Sequence, residues 1–246
     1  MEEIITGKNI FKSYEENSLV LKDINISIKK GEFLVVMGPS GSGKSTLLYA
    51  LSTMDTIDQG QIIFADENIS DLDEEALATI RRKQMGFVFQ NPSFLKNLNI
   101  IDNIILPALN DKSIKKADLR KKAKNLLEKV GLQGLGQREI SKVSGGQLQR
   151  ASICRALIND PLIIFADEPT GSLNSKSTEE IIDLFNKIND QGTTIMLVSH
   201  DPKVALKSHR VVFMKDGSLV DQILLLGLKD QDKEKLLQEK MKVLDI

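Results

Sequence analysis

Two clusters of residues have the types and spacing to hold phosphate. Gly38-Pro39-Ser40-Gly41-Ser42-Gly43-Lys44-Ser45-Thr46 fits the pattern G-x-x-x-x-G-K-S. Glycines at these intervals let consecutive backbone N–H groups turn toward one anion, and Lys44 adds a mobile positive charge. Ser45 supplies a hydroxyl suited to Mg²⁺. About a hundred residues later, Ser144-Gly145-Gly146-Gln147 opens a helical pattern. It brings a hydroxyl, amide N–H groups and a helix N-terminus to one point, which again suits an anion. One nucleotide does not need both devices from a single chain. The economical reading is that each serves a different nucleotide, so that two copies close around two ATP molecules.

Three further positions gain meaning from that loop. Asp167 and Glu168 follow the apolar run 162–166, at the carboxyl end of a strand, where open α/β sheets keep their ligands. Alone they would be two carboxylates capping a strand. Beside a phosphate loop, Asp167 can hold Mg²⁺ through water, and Glu168 can orient and deprotonate an attacking water. His200 follows another apolar run, 193–198, and so projects at the same edge, within reach of a terminal phosphate. Gln90 ends a short strand pattern, and its amide has both a donor and an acceptor to offer metal and water. Tyr14 has a ring that can stack on adenine, although taken alone it reads as an ordinary buried tyrosine. His209 reads as structural, and Cys154 as a small core residue.

The elements that must position these residues follow from periodicity. Ile24, Ile26 and Ile28 alternate with Asn25, Ser27 and Lys29, the mark of a half-buried strand. Residues 33–37, Phe-Leu-Val-Val-Met, are apolar throughout, as in a strand buried on both faces. The phosphate loop comes next, and 45–51 reads as a helix. Short strands are expected at 60–64, 86–89, 162–166 and 193–198, with a helix stripe at Ile181, Leu184, Phe185 and Ile188. Residues 211–220 read as a hairpin turning at Asp216-Gly217. From 91 to about 159 the pattern is helical: Leu119, Ala123, Leu126, Leu127 and Val130 recur at spacings of three and four. Leu148, Ala151, Cys154 and Ile158 share a face of the helix after Ser144, and Leu237, Met241 and Leu244 share a face of a terminal helix docked on the core. The expected fold class is α/β, with an antiparallel β layer on one side and a helical lobe inserted in the core.

The bulk properties narrow the partners. A chain of 246 residues with 41% hydrophobic and 27% charged residues can bury one substantial core. A net charge of −1 argues against a broad nucleic-acid surface. One cysteine rules out an internal disulfide framework and fits a reducing cytoplasm. The first residues lack a basic-then-apolar secretory pattern, and the best apolar run, 223–228, falls far short of the roughly 20 residues needed to cross a bilayer.

Together these residues resemble the ATP-binding subunit of an ABC transporter, over about residues 3–222. Gly38–Thr46 matches the Walker A loop, Gln90 the Q-loop, Val143-Ser-Gly-Gly-Gln147 the signature, and Leu162–Asp167 with Glu168 the Walker B strand and catalytic glutamate. Gly171-Ser-Leu-Asn174 matches the D-loop, His200 the switch histidine and Tyr14 the adenine-stacking aromatic. Val143 replaces the usual leucine, and Asn174 stands where the D-loop usually has aspartate, which puts the coupling between two sites in question. The resemblance implies a RecA-like P-loop NTPase core in residues 1–222, a helical subdomain at about 91–159 and a tail at 223–246. It implies ATP and Mg²⁺ as ligands, with Ser45, Gln90 and Asp167 at the metal and Glu168 and His200 catalytic. It also implies a homodimer formed on ATP binding and a transmembrane permease partner at the cytoplasmic face of the membrane. The stretch 71–90 is similar to the macrolide-exporter, lipoprotein-releasing and bacitracin-type peptide-resistance group, and antimicrobial-peptide resistance is the branch expected. The alternatives are a lipoprotein-releasing or cell-division ATPase and a soluble, non-transport member of the family.

Overall fold

The computed structural model describes residues 2–15, 18–111 and 113–246. Two long strands, β1 (Glu3–Glu15) and β2 (Ser18–Lys29), pair antiparallel. Ile24, Ile26 and Ile28 are buried and Asn25 and Lys29 exposed, as a period of two requires. Next come β3 (Phe33–Met37), all five residues buried, and α1 (Lys44–Leu51). β4 (Gln59–Phe64) pairs with β1 and with the short β5 (Glu67–Asn68), completing a four-stranded antiparallel sheet in the order β2-β1-β4-β5. α2 (Glu74–Gln84) starts at Asp73, whose carboxylate accepts from Ala76 N at 2.8 Å, and leads into β6 (Met85–Phe89).

Residues 91–159 hold α3 (Ile100–Ile105), α4 (Lys116–Lys129) and α5 (Gly145–Leu157), and their described part contains no strand beyond an isolated bridge between Asn99 and Glu139. Leu119, Ala123, Leu127 and Val130 are buried, as their spacing predicts. The chain then alternates: β7 (Ile163–Asp167), α6 (Ser175–Asp190), β8 (Thr194–Val198), α7 (Pro202–Ala205), β9 (Arg210–Lys215), β10 (Ser218–Leu224) and α8 (Asp230–Leu244). The second sheet runs β10-β9-β3-β8-β7-β6, parallel except for β10. Its parallel strands are apolar on both sides because both sides are covered, whereas the antiparallel edge strand β10 is largely exposed. Leu34, Val36, Phe165 and Met196 face the antiparallel sheet and α1, while Val35, Ile164, Ala166 and Leu197 belong to the core built with α5 and α6.

Several boundaries differ by a residue or more from the sequence expectation. The strand expected at 162–166 is observed one residue later, as Ile163–Asp167, with the half-exposed Leu162 just before it. Asp167 is therefore the last residue of β7, paired with Phe89 and Val198, rather than part of a cap beyond it. β10 continues to Leu224, four residues past the end expected for the hairpin. Leu237 of α8 is buried, and Met241 and Leu244 pack on the same core.

Two polar contacts fasten the layers. Arg210 of β9 donates through Nε to Glu32 Oε1 at 2.6 Å and through Nη2 to the Ser27 carbonyl at 2.5 Å, tying the two sheets together. His209 accepts from Phe33 N through Nδ1 at 3.2 Å, and burial holds its pKa below the ordinary histidine value. Removing Arg210 leaves the half-buried Glu32 carboxylate unpaired, so Arg210→Ala is expected to lower the unfolding free energy by about 3 kcal/mol in a urea titration. Protonating His209 is penalised in the folded state. Its contribution to stability is full above about pH 6.5 and is lost as pH falls further, and His209→Gln should flatten that acid limb.

Candidate functional site

The phosphate loop joins the end of β3 to α1. Gly43 occupies the N-cap of α1 at φ 98°, a left-handed conformation that glycine adopts without strain. No side chain caps the helix and no acidic residue lies in its first turn. None of the N–H groups of Lys44, Ser45 and Thr46 finds an acceptor among the described residues. Ser42 Oγ is buried with no hydrogen-bond partner. Lys44 is 6% exposed, its Nζ bent back onto the Pro39 carbonyl at 2.7 Å. Burial lowers its pKa, and Glu168 and Asp167 partly offset that shift. Orphaned donors, a buried hydroxyl and an ammonium satisfied only by a carbonyl make a cradle that fits a polyphosphate.

The parallel strands deliver the other groups to the same edge. Asp167 receives Ser45 Oγ on Oδ1 at 2.8 Å and the Tyr49 hydroxyl on Oδ2 at 2.7 Å. The chain reverses immediately afterwards: Glu168 has φ 43°, and its N–H donates to the Val198 carbonyl at 3.0 Å. The two neighbouring carboxylates therefore diverge, Asp167 toward α1 and Glu168 toward His200, whose Nδ1 lies 2.9 Å from Glu168 Oε2. Gln90 follows β6 directly and is exposed, with its carbonyl accepting from Ser172 Oγ at 3.3 Å. Gly171 lies against it, and an added Cβ there would stand 2.6 Å from Gln90 Nε2 and 3.3 Å from Glu168 Oε2. Tyr14 is not a buried tyrosine: it is 58% exposed, its hydroxyl held by Asp55 at 2.7 Å and Lys12 Nζ 5.1 Å from its ring centroid.

The Ser144–Gln147 turn stands apart from this edge. Ser144 caps α5 with a reciprocal box, accepting from Gln147 N at 3.3 Å while Gln147 Oε1 accepts from Ser144 N at 2.9 Å. Its neighbours are Leu173 and Ser177, and no hydrogen bond among the described residues joins it to the phosphate loop. Val143 packs on the core in place of a leucine. Asn174 caps α6, its Oδ1 accepting from Ser177 N at 2.9 Å, so the local role of an aspartate there is kept without the charge.

Sequence reasoning passed over several residues that hold these parts in place. Tyr49 was one residue of an apolar helix pattern. Gln149 is buried and donates through Nε2 to the Phe89 carbonyl at 3.0 Å, tying α5 to the residue before Gln90. Asp55, which orients Tyr14, lies in a loop with no period.

An uncapped helix start, a carboxylate at a neighbouring strand end and a glutamate–histidine pair on one parallel-sheet edge define a nucleoside-triphosphatase of the P-loop class. Residues 21–171 match the model of the ABC transporter family, and the chain belongs to that family as an ATP-binding, ATP-hydrolysing cassette. It is 40% identical over 226 residues to the lipoprotein-releasing system ATP-binding protein LolD of Aquifex aeolicus, covering 91% of this chain and 99% of that one. It is 42% identical over 217 residues to the macrolide export ATP-binding/permease protein MacB of Bdellovibrio bacteriovorus, covering 87% of this chain and 33% of that longer protein. The solved dimeric post-hydrolysis structure of the ATP-binding cassette MJ0796 bound to ADP and Pi superposes with a TM-score of 0.84 at 37% identity, covering 91% of this chain and all of that one. Among the described residues, no helix is long and apolar enough to cross a membrane.

Crowding at Gly171 gives a direct test of the edge. The Gln90 amide is the far end of a flexible side chain, so Gly171→Ala should leave the melting temperature nearly unchanged. Displacing that amide and the Glu168 carboxylate should lower ATP turnover about tenfold or more. Steady-state phosphate release with a parallel melting curve separates the two effects.

Proposed function

We propose that two copies of this chain sandwich two ATP molecules and drive a partner permease by closing and reopening. One observation carries the reading. The chain presents an uncapped helix start at Lys44 and a second, glycine-rich helix start at Ser144–Gln147 that makes no hydrogen bond to the phosphate loop among the described residues. A second copy, related by a two-fold axis, brings Ser144, Gly145, Gly146 and Gln147 to the terminal phosphate held by the first. The MJ0796 cassette, solved as a dimer, supports this arrangement.

Within one site, Gly38–Thr46 wrap the phosphates, Lys44 neutralises them and Tyr14 stacks on the adenine. Ser45, Gln90 and Asp167 would hold Mg²⁺, an all-oxygen donor set that suits a hard cation. When bound, that ion supplies neutralising charge on the phosphate oxygens. Glu168 accepts a proton from water, and His200 fixes the glutamate carboxylate through the 2.9 Å contact. Hydrolysis removes the terminal phosphate bridge between the copies, and the dimer opens.

The cassette spans residues 1–222 with its helical subdomain at about 91–159, and α8 serves as a docked tail. The groove between core and lobe is lined by Met54, Phe87, Phe89, Leu106 and Arg155, and accommodates an apolar element of the permease. Phe94, with the Arg155 guanidinium 4.6 Å from its ring centroid, and the exposed Leu95 lie at the same boundary. In this reading the chain works at the cytoplasmic face of a membrane through that permease, without a nucleic-acid partner, in export of or resistance to antimicrobial peptides. Likeness to LolD favours lipoprotein release as the second reading.

Glu168→Gln should bind ATP, form a stable dimer in size-exclusion chromatography with light scattering, and lose at least about 99% of turnover. Adding Ser144→Arg should return that variant to monomers. Full-rate hydrolysis by Glu168→Gln would overturn the assignment of the base.

A further inference from the structure

Tyr49 lies outside the phosphate loop, the strand ends and the signature turn, yet its hydroxyl donates to Asp167 Oδ2 at 2.7 Å. Ser45 and Tyr49 are four residues apart on α1 and so share one face of that helix. Each takes a different oxygen of the same carboxylate, Ser45 on Oδ1 and Tyr49 on Oδ2. The Tyr49 ring is half-buried against the apolar layer between the sheets, which fixes the direction of its hydroxyl. The Tyr49 carbonyl also accepts from Asp55 N at 3.1 Å, and the Asp55 carboxylate holds the Tyr14 hydroxyl at 2.7 Å. One helical residue thus supports both ends of the nucleotide edge.

We infer that Tyr49 is a positioning residue for the metal, locking one oxygen of Asp167 so that the other stays aimed at Ser45 and the phosphate loop. The inference rests on the reading of Ser45 and Asp167 as the metal-holding pair. If the Ser45 hydroxyl turns from Asp167 to the metal, the phenol is the one hydrogen-bond donor among the described residues that still fixes the carboxylate rotamer. Without it, the carboxylate rotates about its Cβ–Cγ bond and must be ordered again each time metal binds. An isosteric phenylalanine removes that hydrogen bond and little else. Partners of this kind behind a metal ligand are commonly worth about tenfold or more in metal affinity.

The test uses the full chain loaded with a non-hydrolysable ATP analogue, and Mn²⁺ as the probe, titrated by electron paramagnetic resonance. Tyr49→Phe should weaken Mn²⁺ binding about tenfold, leave analogue binding in EDTA unchanged, and raise the Mg²⁺ concentration for half-maximal ATPase while sparing the rate at saturating metal. Asp167→Asn is measured in parallel. Wild-type Mn²⁺ affinity in Tyr49→Phe, with affinity lost in Asp167→Asn, would sink the inference alone. Equal loss of analogue binding with and without metal would show a general packing role and also overturn it. If Asp167→Asn itself binds Mn²⁺ normally, the metal-holding pair is misassigned and the role of Tyr49 falls with it.

Discussion

An α-helix that begins without a cap leaves backbone N–H groups facing outward with nothing to bond. At α1 that deficit is built in: the N-cap is a glycine, the first turn has no acid, and Ser42 Oγ is buried without a partner. Such a start is costly in an empty protein and favourable only when an anion completes it. Much of the architecture follows from holding this helix in place. Its apolar face, Leu47, Leu48 and Leu51, is trapped between the two sheets, and its polar face reaches Asp167. The parallel order β3-β8-β7-β6 then places Gln90, Asp167, Glu168 and His200 along one edge beside it.

A second constraint is the reversal at Glu168. Two adjacent carboxylates on a regular strand would point to opposite faces and serve unrelated surfaces. Ending β7 at Asp167 and placing Glu168 at φ 43° separates them by a turn of the backbone instead. One carboxylate is gripped by hydroxyls and the other faces an imidazole. Neighbours in sequence thereby acquire different surroundings, which allows two chemical roles at the end of one strand.

The legible part of the sequence was the part governed by short-range rules. Apolar runs marked β3, β7 and β8, glycine spacing marked the phosphate loop, and the three-and-four spacing of Leu119 to Val130 marked α4. Asp216-Gly217 marked its hairpin because both residues take positive φ there. What could not be read were contacts between distant segments. Nothing near Tyr14 in the chain says that Asp55 will hold its ring out into solvent, and Tyr49 looks like one more core residue until β7 arrives beside it. The one-residue offset at Leu162 and the extension of β10 to Leu224 are of the same kind, since strand ends are set by which neighbours remain to pair. Membership of the family was legible because its motifs are local, whereas the supports behind those motifs are not.

Gln149 and Gly86 carry a consequence of their own. The glutamine bonds the Phe89 carbonyl, and an added Cβ at Gly86 would stand 2.7 Å from the Ala156 carbonyl, so α5 lies flush along β6. The tip of α5 and the residue after β6 therefore sit side by side at the same end of one packed unit. A shift of that tip is passed to Gln90 through packed backbone and a single hydrogen bond, so the two positions move together.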